Sequence, residues 1–454
     1  MQRYPVLTPV DPSEICLFPE AHVSPTRSES RNLVTQRRTR SGTIRRQTLT
    51  WFLSLAAFLF ALLVSPQSRG TEPVIKTGVA AATQDKPQCK LWFAHAQWWA
   101  WLPDPDGSAV YARTPSGWKR LTHLDDYLKG LPMRADVWPC PDSVRAVLVG
   151  NDRLATVDLI YDAVNLTYRP GRLRHEFHWT TTVHRDINAN YDESLETATI
   201  CQDGSGRWWI AFDRGRSIFV TSTVDSAGLR WNPSVALATD VMPDDIGSLY
   251  SLPDRTGVIW SNQRQDSVVA REHLNGSAPE EWTDPVCIQQ GGRTADDHLH
   301  CAVAGNGTLF VASKNSVDQI NQPQQILRIR HPGGTWTNHG YATLTADSSP
   351  TRPIAITGGT PEQLFLLHTV SRNDATGLTS IIAGMTTSID QVDLTGRPID
   401  LIVADQPVNN VTVPRHAFPE NAPWIVLASD LSGNVYEADL RDVLSNQTTH
   451  PAAE

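Results

Sequence analysis

Basic clusters, paired cysteines and long apolar runs are all scarce in this chain of 454 residues, and each shortage narrows what the protein can be. Charged residues make up 19% and the net charge is -9, with no Lys/Arg cluster inside the body of the chain, so no nucleic-acid partner is expected. Of six cysteines, Cys16 lies in an N-terminal arm. The others, Cys89, Cys140, Cys201, Cys287 and Cys301, are odd in number and lack metal-type spacing. Neither a disulfide framework nor a cysteine metal site is indicated, and no metal or other cofactor is expected. Only one long apolar run occurs, no linker interrupts residues 87–442, and no segment names a reaction.

What is present is a repeat. Trp118, Trp179, Trp231, Trp282 and Trp336 recur at intervals of 51 to 61 residues, each in a strand-like context. Polar openers keep step with them: Asp136, Glu193 and Glu196, Asp244 and Asp245, Asp296 and Asp297, Arg352, and Asn409 and Asn410. After each opener come alternating apolar residues, a turn and a second apolar run such as RWWIAF, GVIWSN or TLFVASK, which reads as strand, hairpin, strand. Repeats made of short strands are the mark of a β-propeller, an all-β fold whose blades bury their faces only against neighbours. Units of about 50 residues predict seven four-stranded blades across 87–442, whereas the alternative of six needs about 59 per unit. The last unit lacks one strand, and EPVIKTGVA at 72–80, within a linker spanning 67–86, is the candidate to fill it and remove an open sheet edge.

The ends are different material. Residues 1–48 are rich in Arg, Ser, Thr and Pro without apolar period and read as a disordered basic arm, and 443–454 read as a disordered tail. Between arm and linker, 49–66 contains LTWFLSLAAFLFALLV, whose length falls between a signal segment and a spanning helix. The expectation is a single-pass transmembrane helix with the arm in the cytoplasm and the propeller outside, the alternative being secretion after cleavage. A monomer is expected.

In a propeller, equivalent positions of successive repeats become neighbours around the axis. Glu196, Asp245, Asp297, His298, Arg352 and Asn410, with Arg134 nearby, should therefore share one mouth of the central tunnel, the kind of place where pKa values shift and ligands bind. Asp296, His298 and His300 alternate along one strand and so face one side, away from Asp297 and Cys301, but a single strand rarely supplies a metal site alone. Lys314 in the following strand reads as a charge partner for an Asp. The adjacent pairs Trp98/Trp99 and Trp208/Trp209 point to opposite faces and suit burial between blades. Cys140, Cys201 and Cys301 hold one repeat position and read as small buried residues, with a Cys140–Cys201 disulfide as the alternative.

Several segments, KPQCKLWFAHAQWWAWL, TADDHLHCAVAGNGTLFVASKNS, PGGTW and WIVLASD, resemble those of an uncharacterised group of secreted or membrane-anchored bacterial propellers of BNR/Asp-box, sialidase-like character. The best Asp-box remnant is STVDSAGLRW at 222–231, where the resemblance implies that Asp225 bonds the turn and Trp231 packs beneath it. The sialidase requirements are met only in part, by Arg134, Arg352, Arg415 and a Tyr191 close to Glu193. The leading functional expectation is a propeller that binds a glycan or other cell-surface ligand at the tunnel mouth. The alternatives are a sialidase-like glycoside hydrolase or lyase using the acidic ring, and a structural or partner-docking propeller.

Overall fold

Apolar residues on both sides of most strands oblige each sheet to be covered on both faces. The computed structural model describes residues 71–84, 86–179, 183–185, 190–192, 194–374 and 377–442. Within them seven four-stranded antiparallel sheets succeed one another, so the chain is an all-β propeller with seven blades. Blades 1 to 6 occupy 91–120, 134–178, 198–238, 247–290, 299–343 and 348–402. Blade 7 draws three strands from 409–439 and its fourth, Ile75–Lys76, from upstream of blade 1, paired antiparallel with Asn434 and Val435. The amides of Val74 and Thr77 extend this closure by donating to the carbonyls of Val435 and Gly433.

Trp208 and Trp209 show how the faces are filled. Trp208 packs with Val147, Val149 and Leu154 of blade 2, whereas Trp209 packs with Leu249, Val258 and Trp260 of blade 4. Full burial of such side chains stabilises by about 3 kcal/mol each. Trp98, Trp99 and Trp101 are likewise buried. Where an aromatic ring crosses to the neighbouring strand, glycine makes room: Tyr250 of blade 4 lies opposite Gly257, and a Cβ there would come within 2.0 Å of the ring.

The first strand of each blade lines the axis, and the axis is filled by side chains. Asp136 of blade 2 accepts the amides of Cys89, 2.7 Å, and Ile200, 2.8 Å, and pairs with the Arg415 guanidinium of blade 7. Cys89 Sγ lies 3.3 Å from His300 Nε2 of blade 5. Burial pushes the Cys89 thiol up to about 12, and burial together with Arg415 lowers His300 to about 3, so both are neutral near pH 7. The described cysteines, Cys89, Cys140, Cys201, Cys287 and Cys301, are all free, so the Cys140–Cys201 disulfide is not formed.

The membrane expectation is corrected. Among the described residues no helix is long and apolar enough to cross a membrane, and the segment 49–66 lies outside them. The single-pass localisation, with the arm in the cytoplasm and the propeller outside, is withdrawn. The arm 1–48, the tail 443–454 and Glu193 also lie outside the described residues.

Candidate functional site at the tunnel mouth

The first strand of a blade runs antiparallel to the second, so the start of one lies beside the end of the other. Polar groups from both strands therefore surround the mouth. In blade 5, Asp296, Asp297 and His298 immediately precede the strand Leu299–Val303, and Lys314 ends the strand Leu309–Lys314. The amide of Lys314 donates to the carbonyl of His298, 3.0 Å, which fixes the two ends together.

The side chains form a chain of charges. His298 Nδ1 lies 2.7 Å from Asp296 Oδ1 and 2.5 Å from Asp297 Oδ1. Ionised carboxylates only accept, so Nδ1 carries the proton and Nε2 is the other face of the ring. Nε2 is buried and has no hydrogen-bond partner among the described residues. Lys314 Nζ holds Asp296 Oδ2 at 2.5 Å, and Ser316 Oγ reaches the same oxygen at 3.3 Å. Burial alone would raise the Asp297 carboxyl, but the hydrogen bond and charge of His298, with Lys86, hold it well below the usual carboxylate range.

Lys86 enters from the segment between the closing strand and blade 1. Its Nζ pairs with Glu196 Oε1 of blade 3, 3.2 Å, and with Asp297 of blade 5. The ring expected to be acidic is thus neutralised from within the chain. Asp296, Asp297 and His298 bring ligand atoms within 4.8 Å of one another, a set that could hold a metal ion, yet Lys86 and Lys314 already occupy its carboxylates. The set differs from Asp296, His298 and His300, the trio that strand alternation put on one face. Residues 296–298 precede the strand, so its alternation does not govern them, while His300 lies inside the strand and turns to Cys89.

Blades 6 and 7 contribute a matched pair. Arg352 (φ 53) and Asn410 (φ 54) sit in the left-handed region, each where the register between first and second strands shifts. For residues with a Cβ such backbone costs about 1–2 kcal/mol and is characteristic of functional sites. The amide of Asn410 is held by Thr369 Oγ1, 3.2 Å, and Asn409 Oδ1, 2.9 Å. The Arg352 guanidinium is half-buried and has no hydrogen-bond or ion-pair partner among the described residues. Burial lowers its pKa, opposed by the charges of Asp297 and Asp296.

The other expected residues are placed differently. Arg134 donates through Nη2 to the carbonyl of Leu195, 3.3 Å, and borders a cavity of about 480 Å³ with Gln84, Met133, Asn151 and Arg153. Asp245 is 1% exposed, and its oxygens accept from Ser261 Oγ and from the amides of Met242 and Gln263. Its acceptor capacity is spent inside its own blade, where it braces a loop. Asp213, at the end of the second strand of blade 3, does the same in mirror fashion for the amides of Glu196, 2.8 Å, and Thr197, 2.7 Å. Arg415, the third arginine of a sialidase-type clamp, is committed to Asp136.

Lys86, Asp213 and Ser316 escape sequence reasoning. Lys86 precedes the first repeat and has no equivalent in the others, whereas Asp213 and Ser316 stand at or just after second strands, where no polar period marks them. In the turn at 222–231, Asp225 Oδ1 accepts from the amide of Gly228, 3.1 Å, and Trp231 packs edge-on against Phe177.

No family model matches this sequence, and no curated protein does. Among solved structures the chain is similar to a polysaccharide lyase, Uly1, at TM-score 0.46 and 10% identity, covering 82% of this chain and 100% of that one. A protein of unknown function from Dyadobacter fermentans gives TM-score 0.43 and 10% identity over 82% and 98%. An α-L-arabinanase from Penicillium chrysogenum, complexed with arabinobiose, gives TM-score 0.40 and 12% identity over 72% and 100%. These likenesses concern the fold, and membership of the BNR/Asp-box group is not established by them.

Proposed function

We propose that the protein binds a glycan at the tunnel mouth, with Asp297, His298, Arg352 and Asn410 as contacts and Glu196 and Arg134 at the rim. Sugar hydroxyls both donate and accept, so a receptor for them needs donors and acceptors at fixed places. The observation that carries the reading is the state of His298: its Nδ1 is clamped by two carboxylates while its Nε2 remains uncommitted. Arg352 adds donors that have no partner among the described residues. Asp245 has no part in this surface, because its bonds run to Ser261 and Gln263 of blade 4 and to Met242 in the loop that enters it.

The test is titration of the full-length chain with a panel of oligosaccharides, beside Asp297→Asn and Asp245→Asn variants. Asp297→Asn removes a clamp from His298 and the partner of Lys86, so affinity should fall at least tenfold, about 1.4 kcal/mol. Asp245→Asn should leave affinity unchanged. Equal effects of the two substitutions, or none from either, contradict the proposal.

A second reading, acid-base catalysis on the bound glycan, is favoured by the same imidazole. An imidazole oriented by two carboxylates, with its second nitrogen unpaired, supplies part of the arrangement proton transfer requires once a substrate reaches that buried nitrogen. Turnover of a panel member that disappears in His298→Asn while binding persists selects this reading over simple binding.

A further inference from the structure

The pairing of charges around the mouth says which kind of glycan fits. Resting on the binding reading above, we propose that the ligand is anionic, carrying a carboxylate or sulfate group that seats on Arg352. Three acids, Glu196, Asp296 and Asp297, are each held by an internal lysine: Lys86 takes Glu196 and Asp297, and Lys314 takes Asp296. Among the described residues no such partner faces Arg352. Its guanidinium lies near enough to feel the charges of Asp296 and Asp297, yet it forms no ion pair with either.

A guanidinium from which no group of the described residues accepts keeps its donors for water or for a ligand, and an oxyanion exchanges that water for charge-assisted hydrogen bonds. The backbone shows that this position is held rather than left to chance. Arg352 sits at φ 53 inside a register shift, where glycine would be easier, and Asn410 repeats that geometry in the next blade. A planar guanidinium matches the geometry of a carboxylate or sulfate through parallel hydrogen bonds. The three-arginine clamp is not built here, since Arg415 is sealed against Asp136.

The experiment compares matched oligosaccharides, neutral, uronate-containing and sulfated, against the full-length chain by calorimetry at low and moderate salt. The uronate or sulfated member should bind at least tenfold more tightly than its neutral counterpart, and the better of the two identifies the group. Arg352→Gln should abolish that preference, weakening the charged member at least tenfold more than the neutral one. Arg352→Gly, which suits the left-handed backbone, should do the same and controls for misfolding. Equal binding of neutral and charged members, or a preference that survives both substitutions, overturns this inference and leaves glycan binding standing. Absence of binding to every member overturns both.

Discussion

Buried aspartates in this ring fall into two kinds, and the difference lies in what faces each carboxylate. Asp297 meets a histidine and a lysine and stays ionised. Asp213 meets only backbone amides and the Thr197 hydroxyl. Burial outweighs these bonds and, with the nearby Glu196 charge, pushes its carboxyl up to about 7. Asp245, among similar partners, is pushed up to about 6. A carboxyl whose pKa is higher in the folded than in the unfolded state favours folding at low pH, and that contribution is lost as pH rises through the folded value. Wild type should therefore lose stability between about pH 4 and pH 7 relative to Asp213→Asn, by about 4 kcal/mol at most on the linkage relation. Thermal unfolding of both proteins across that range checks this, and parallel pH profiles would contradict it. None of these partners is visible in the sequence, because Asp213 becomes a brace only when the second strand folds back beside Glu196 and Thr197.

At the scale of the strand, the innermost elements are tied to one another through the axis rather than only to their own blades. Asp136 takes hydrogen bonds from Cys89 and Ile200 and a guanidinium from Arg415, so one carboxylate joins blades 2, 3 and 7 to the approach of blade 1. Removing one member of a buried ion pair leaves the other charge without compensation, at a cost of about 3–5 kcal/mol. Arg415→Met should lower the urea midpoint accordingly, whereas a loss below about 1 kcal/mol would show that water or another group replaces the guanidinium. The strands themselves were legible. Period-two alternation assigned Trp208 and Trp209 to opposite faces, and the structure buries them toward blades 2 and 4. The same rule misplaced Asp297 relative to Asp296 and His298, since those residues belong to the entry loop and not to the strand.

At the scale of the whole molecule, ring closure converts a linear periodicity into a shared surface. Spacing of the repeats predicted seven blades, and the structure has seven, the last completed by Ile75–Lys76 from upstream of blade 1. Spacing also put Asp297, His298 and Arg352 at equivalent openers, and in the structure His298 meets Asp297, whose charge acts on Arg352. What it did not contain was the charge state of that surface, because Lys86 arrives from outside the repeat and cancels the acids that repetition brought together. The account stands on the ligand occupying this mouth. A crystal structure of the protein with an acidic oligosaccharide tests it most directly: the anionic group should lie within hydrogen-bond distance of Arg352, with a sugar oxygen at His298 Nε2. Ligand seated instead between blades or at the opposite end of the tunnel, with the mouth unchanged, would contradict it.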